Sequence, residues 1–240
     1  MKITDVYWST AHKPGDVVPY ILNIQEPSPL LAELKNLSKQ LEGESSAKSG
    51  SFLLCPSMLE VTKNTFVVKS PIDFSIKYDG SAIYTTLPDK TYLINRNPSA
   101  GFISLNFIQL ILFSDADSVN MRVRNAYYSN NSFVNNCSVL EGAFDIAKWF
   151  RVIDCAIFFK SPTSIDVKQG DALFYIEFDT SVKFKKFLFN DELSKCSFYC
   201  MASKNFNKLS VSNYFEAIYS LFAKSKIKTH ILKLIKNNLL

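Results

Sequence analysis

The chain has 240 residues, of which 47% are hydrophobic, 20% charged and 14% aromatic, with a formal net charge of +5. That composition excludes an intrinsically disordered chain, and the length supports a core that needs neither disulfides nor a structural metal. Seven lysines and a single acid lie between Lys204 and Leu240, so this stretch carries +6 and the rest of the chain −1.

Twenty Phe and eleven Tyr against seven Gly favour pleated, half-buried surfaces. In chain order, Ser28-Pro29 opens a short helix over 29–41, with Leu30, Leu31, Leu34, Leu37 and Leu41 as its apolar stripe. Glu42 to Ser51 is small, polar and aperiodic, and reads as a loop. Strands are then predicted over Thr65–Lys69, Ile72–Tyr78, Ser81–Thr86 and Tyr92–Ile94, with Asp79-Gly80 as a hairpin turn.

Further strands are predicted over Phe102–Phe113, Val119–Val123, Ser132–Val134, Cys155–Phe159, Ser164–Val167, Ala172–Phe178 and Val182–Phe189, with a short helix over Glu141–Phe150. The alternating segments on either side of Gly170 read as a second hairpin. Near the C-terminus, Phe215, Ile218, Tyr219 and Phe222, and then Ile227, Ile231, Leu234 and Ile235, define helical faces. The expected fold is mainly β: a jelly-roll-like sandwich over 1–210, with the short N-terminal helix, and a basic helical extension over 211–240 packed on the same domain.

The chemistry-bearing residues are sparse. His12 and His230 are the only histidines, and neither belongs to a metal-ligand motif, so neither a catalytic metal nor another cofactor is expected. The same scarcity argues against Ser-His or Cys-His nucleophilic chemistry. Five cysteines, Cys55, Cys137, Cys155, Cys196 and Cys200, follow no secretory leader and fit a reducing compartment. The longest apolar run, Phe102 to Phe113, is too short and too polar to span a bilayer. Lys183, Lys185 and Lys186, interleaved with Phe184 and Phe187, are the candidates for single-stranded nucleic-acid binding, although a lysine-protected edge strand has the same pattern.

Three stretches carry a resemblance: Cys55-Pro56 with Lys63-Asn64-Thr65-Phe66-Val67-Val68-Lys69-Ser70-Pro71-Ile72-Asp73, then Asp145-Ile146-Ala147-Lys148-Trp149-Phe150-Arg151, then Gly170-Asp171-Ala172-Leu173. In order and spacing they resemble a group of uncharacterised β-rich proteins of marine tailed phages and some bacteria. The resemblance implies a phage protein in the host cytoplasm or the virion, and it brings no catalytic residues. The ligand-binding candidates within these stretches are Cys55, Asn64, Lys69, Asp73, Trp149, Arg151 and Asp171.

The expected function is a non-enzymatic binding or structural protein, with a second copy of the chain or a host protein as partner. The alternatives are a cupin-like or dUTPase-like enzyme acting on a sugar, nucleotide or other small molecule, and a binder of single-stranded nucleic acid.

Overall fold

The structure is a computed structural model that describes residues 3–12, 23–42, 55–87, 93–153, 155–202, 220, 222 and 226–240. The described residues are mainly β, in four small sheets. Strands β1 (Thr4–Thr10), β8 (Leu110–Ser114) and β15 (Val182–Lys186) form the first, with β1 at its centre, antiparallel to β8 and parallel to β15. Five strands form the second, in the order β11 (Gly142–Asp145), β9 (Asn120–Asn125), β14 (Ala172–Phe178), β3 (Thr65–Lys69) and β2 (Ser28–Pro29). The third is β10 (Cys137–Val139), β12 (Cys155–Phe159), β7 (Phe102–Leu105) and β6 (Leu93–Asn97). The fourth is β13 (Thr163–Val167), β4 (Phe74–Tyr78) and β5 (Ile83–Thr85).

The first sheet explains why β8 is a continuous apolar run and not an alternating one. Its Leu110 and Leu112 enter the main core with Val6 and Trp8, while Ile111 and Phe113 enter a second core with Tyr7. A strand buried on both faces has no solvent side on which to place polar residues. The second core is closed by α4 (Asp191–Ala202), which contributes Leu193 and Cys200, and by α5 (Ile227–Asn237), which contributes Ile231, Leu234 and Ile235. Two lysines of α5 are drawn along: Lys228 donates to the Ala116 carbonyl and Lys236 pairs with Asp115. After α5 the chain pairs with the end of β15, through a Phe187–Leu239 bridge and Leu240 N–H to Lys186 O.

A third, smaller core lies on the outer face of the five-stranded sheet, where Leu30 and Leu34 of α1 (Leu30–Glu42) cover Val67, Ala126 and Tyr175. Beside it, α2 (Pro56–Thr62) adds Met58. Ser28 and Pro29 pair with Val67 and Phe66 as a strand and do not open the helix, which starts at Leu30.

The tight turn at Asp79-Gly80 forms as expected. Gly80 has φ +100°, and the Asp79 carboxylate accepts the N–H groups of Ser81 at 2.8 Å and Ala82 at 2.7 Å. The segment Phe102–Phe113 is divided into β7 and β8 by a break containing Gln109 at φ 42°.

Three local expectations are corrected. Ser132–Val134 lies in a short helix, α3 (Ser132–Asn136), because the Asn131 side chain caps it by accepting Val134 N–H at 2.9 Å. Glu141–Phe150 is not a helix: Gly142–Asp145 pairs with β9, and Asp145 then caps a 3₁₀ turn, Ile146–Lys148. The segments flanking Gly170 are not a hairpin, since β13 pairs with β4 and β14 pairs with β3 and β9. β1 and α4 have no counterpart among the sequence expectations. The helical face at Phe215, Ile218 and Tyr219, and the loop over 43–51, lie outside the described residues.

The Gly170 correction exposes a corner. The pair β3–β14 in one sheet continues as the pair β4–β13 in another, and both chains turn together, over Ser70–Asp73 and Lys168–Asp171. Three bonds tie the two turns, Ser70 N–H to Asp171 O at 2.8 Å, Gly170 N–H to Ser70 O at 2.8 Å and Gln169 N–H to the Asp73 carboxylate at 2.7 Å, and within the second turn Lys168 N–H donates to the Asp171 carboxylate at 2.9 Å.

Candidate functional site

The corner forms one wall of a two-lobed cleft. The larger lobe, about 420 Å³, lies between α1 and the sheet and is lined by Glu33, Asn36 and Leu37 of α1, Lys69 of β3, the Tyr128–Asn131 loop, Gly170, Asp171 and Tyr175. The smaller, about 260 Å³, is lined by Asn23, Gln25 and Glu26 together with Ser70 and Gln169. Val67, Lys69 and Gly170 belong to both walls. Gly170 stands at φ +90° with open space where a Cβ would lie, so no side chain crowds the turn backbone there.

Each lining group is held by its element. The Leu30–Leu34 stripe presses α1 on the sheet and leaves Glu33 on its flank, where it meets Lys69 at 2.8 Å. Burial pushes the Glu33 carboxyl up, but the Lys69 ammonium and the Ser28 hydroxyl together hold the acid below its ordinary value. Glu26 accepts the Trp8 indole N–H at 2.9 Å. Asn131 is committed at both ends, accepting Val134 N–H and donating to Ala172 O. Asn130 accepts from Asn135 through its carbonyl oxygen.

The aromatic groups form a cluster. Tyr127 meets Tyr128 at 4.7 Å between ring centroids and packs edge-on against the buried Tyr175 at 5.4 Å. Burial raises the Tyr175 phenol, which stays protonated at neutral pH and lies 3.2 Å from the Ser129 hydroxyl.

Comparison with protein families, with curated proteins and with solved structures gives no match to this chain. Its own geometry is therefore the basis for any functional reading.

Of the seven ligand-binding candidates, the cleft brings together Lys69 and Asp171, and Asp73 reaches its rim through Gln169. The others lie elsewhere. Cys55 is exposed at the start of α2, with its sulfur 2.9 Å from the Ser57 hydroxyl. Asn64 accepts from Ser181 at 3.3 Å, and its carbonyl accepts Phe178 N–H. Trp149 is buried and stacked on Phe144, with the Arg151 guanidinium 4.7 Å from its ring.

Among the nucleic-acid candidates, Lys185 pairs with Asp5, Lys186 lies over the Trp8 ring and Lys183 is exposed. The neighbouring Phe184 packs edge-on against Phe66 at 4.9 Å and so faces the core. Among the described residues there is no group of three or more side chains suited to a metal, and no helix long and apolar enough to cross a membrane.

Sequence reasoning missed Glu33, Tyr128, Asn130 and Tyr175. One usable signal was the Tyr127-Tyr128-Ser129-Asn130-Asn131 run, where two rings precede polar turn residues between strands.

Proposed function

We propose that this chain is a non-enzymatic ligand-binding or interaction protein, with the cleft astride Lys69 as its binding site. The observation that carries the reading is the convergence of α1, β3, the Tyr128–Asn131 loop and the corner turn on one concave, polar and aromatic surface. The titratable groups lining it are already engaged: Glu33 with Lys69, Glu26 with Trp8, and Asp171 with its own turn. A carboxylate held below its ordinary value is a poor general base near neutral pH, which weighs against the cupin-like and dUTPase-like enzyme readings.

The same proposal takes the fold as jelly-roll-like. It is supported by the antiparallel pairs β3–β14, β4–β13 and β7–β12, each nested inside the last in sequence. A phage origin, action in the host cytoplasm or virion, and partnership with a second copy or a host protein belong to this reading as proposals. Exposed Phe198, Leu188 and Leu239 support a macromolecular contact.

Ligand-observed NMR with a mixed library of sugars, nucleotides, amines and peptides tests the site. Saturable hits lost in both Tyr128→Ala and Lys69→Met support it. Hits that persist in both variants place binding elsewhere and refute it.

A further inference from the structure

We infer that the cleft takes an uncharged, polyhydroxylated ligand, an oligosaccharide of two or three sugar units; this rests on the cleft being the binding site. Charge is the first argument. Among the described residues the charged side chains lining the two lobes are Glu26, Glu33, Lys69 and Asp171, a formal net of −2, and Lys69 is neutralised by Glu33 at 2.8 Å. A phosphate or carboxylate ligand would meet repulsion from Glu26 and Asp171 with no uncompensated cation among the described lining residues to offset it.

The uncharged polar groups are the second argument. Asn23, Gln25 and Gln169 line one lobe and Asn36 and Asn130 the other. A primary amide both donates and accepts, which matches vicinal hydroxyls, each of which does the same. Asn130 has its carbonyl oxygen engaged by Asn135, and its NH₂ carries two donors.

The third is the aromatic surface. Tyr128, on the cleft wall, is 37% exposed and is braced by Tyr127, which in turn packs edge-on against the buried Tyr175, so the apolar C–H face of a pyranose has a platform that is already ordered. The two lobes, which share Val67, Lys69 and Gly170 as lining, are sized for consecutive sugar units, and the missing Cβ of Gly170 leaves the turn backbone open to approach.

The test is a ¹⁵N–¹H correlation titration of the whole protein with four separate probes: N-acetylchitotriose, maltotriose, adenosine monophosphate and choline. Shifts clustered on Lys69, Tyr128–Asn131 and Gln169–Asp171 with either trisaccharide are expected, weakened about tenfold by Tyr128→Ala and little by Tyr128→Phe. Cleft shifts with the nucleotide or choline, and none with the trisaccharides, would overturn the ligand class while leaving the cleft as the site. Absence of cleft shifts with all four probes would remove the ligand class together with the site. The Lys183→Ala variant, outside the cleft, is expected to bind like the parent.

Discussion

The Asp73 carboxylate accepts the Gln169 backbone N–H at 2.7 Å, across 96 positions of sequence, and so latches the two turns by which paired strands pass from one sheet to another. Asp73 also lies 3.6 Å from Lys168, an exposed pair that adds little. Replacing Asp73 by Ala is expected to cost about 1 kcal/mol in urea denaturation. Because Gln169 lines the smaller lobe, the same variant is expected to weaken ligand binding; an effect on neither property would detach the corner from the site.

Two glycines with positive φ separate strain from crowding. Gly170 at +90° has open space where an added methyl group would sit, so Gly170→Ala is expected to cost only backbone strain, about 1 kcal/mol. Gly101 at +74° would place its Cβ 3.2 Å from the Phe159 carbonyl oxygen, so Gly101→Ala is expected to cost about 2–3 kcal/mol. Equal midpoint shifts in denaturation would contradict the distinction.

Asp145 gives the acid response its sign. Burial pushes its carboxyl up, but Val119 N–H, Lys148, the Ser118 hydroxyl and Ala147 N–H together hold it below its ordinary value. With the folded value depressed, the stabilisation is complete above the unfolded value of about 3.9 and is lost as pH falls through the folded one. Asp145→Asn is therefore expected to be about 2–3 kcal/mol less stable than the parent at pH 7. The gap should narrow at pH 3, and a constant gap would contradict the linkage.

The second core predicts that α5 is structural. Ile231 and Ile235 are fully buried against it, so Ile231→Ala is expected to cost about 2–4 kcal/mol, whereas Lys233→Ala on the same helix should change little. Hydrogen exchange on α5 should accelerate in the first variant. Native-like protection there would show that the helix does not depend on this contact.

Cysteine reactivity should follow burial. Cys55 is exposed, and the Ser57 hydroxyl with the N–H groups of Met58 and Ser57 holds its thiol below the ordinary value. Burial pushes Cys137 and Cys200 up to about 12. Iodoacetamide with mass-spectrometric mapping is expected to label Cys55 first and to reach Cys137 and Cys200 only on unfolding. Early labelling of Cys137 would contradict its place in the main core.

Much of the β character is legible locally. Thr65-Phe66-Val67-Val68-Lys69 is rich in β-formers, and Asp79-Gly80 supplies both the capping carboxylate and the permissive backbone. The corner is not legible, because a Gly turn between two alternating segments looks the same whether the strands pair with each other or with β3 and β4, about 85 to 110 residues away. β11 eludes periodicity for a related reason: Ala143, Ile146, Ala147 and Phe150 mimic a helical stripe, and the pairing of Gly142–Asp145 with β9 decides otherwise. The cleft draws Glu33, Lys69, Tyr128 and Asp171 from four separate segments, so only Lys69 and Asp171 are among the ligand-binding candidates read from the sequence.

The most direct measurement is a crystal structure of the whole protein soaked in N-acetylchitotriose. The account expects density for sugar rings between α1 and the Lys168–Asp171 turn, with one ring against Tyr128. An unoccupied cleft in crystals where that face is open to solvent, or a trisaccharide ordered only elsewhere on the molecule, would contradict it.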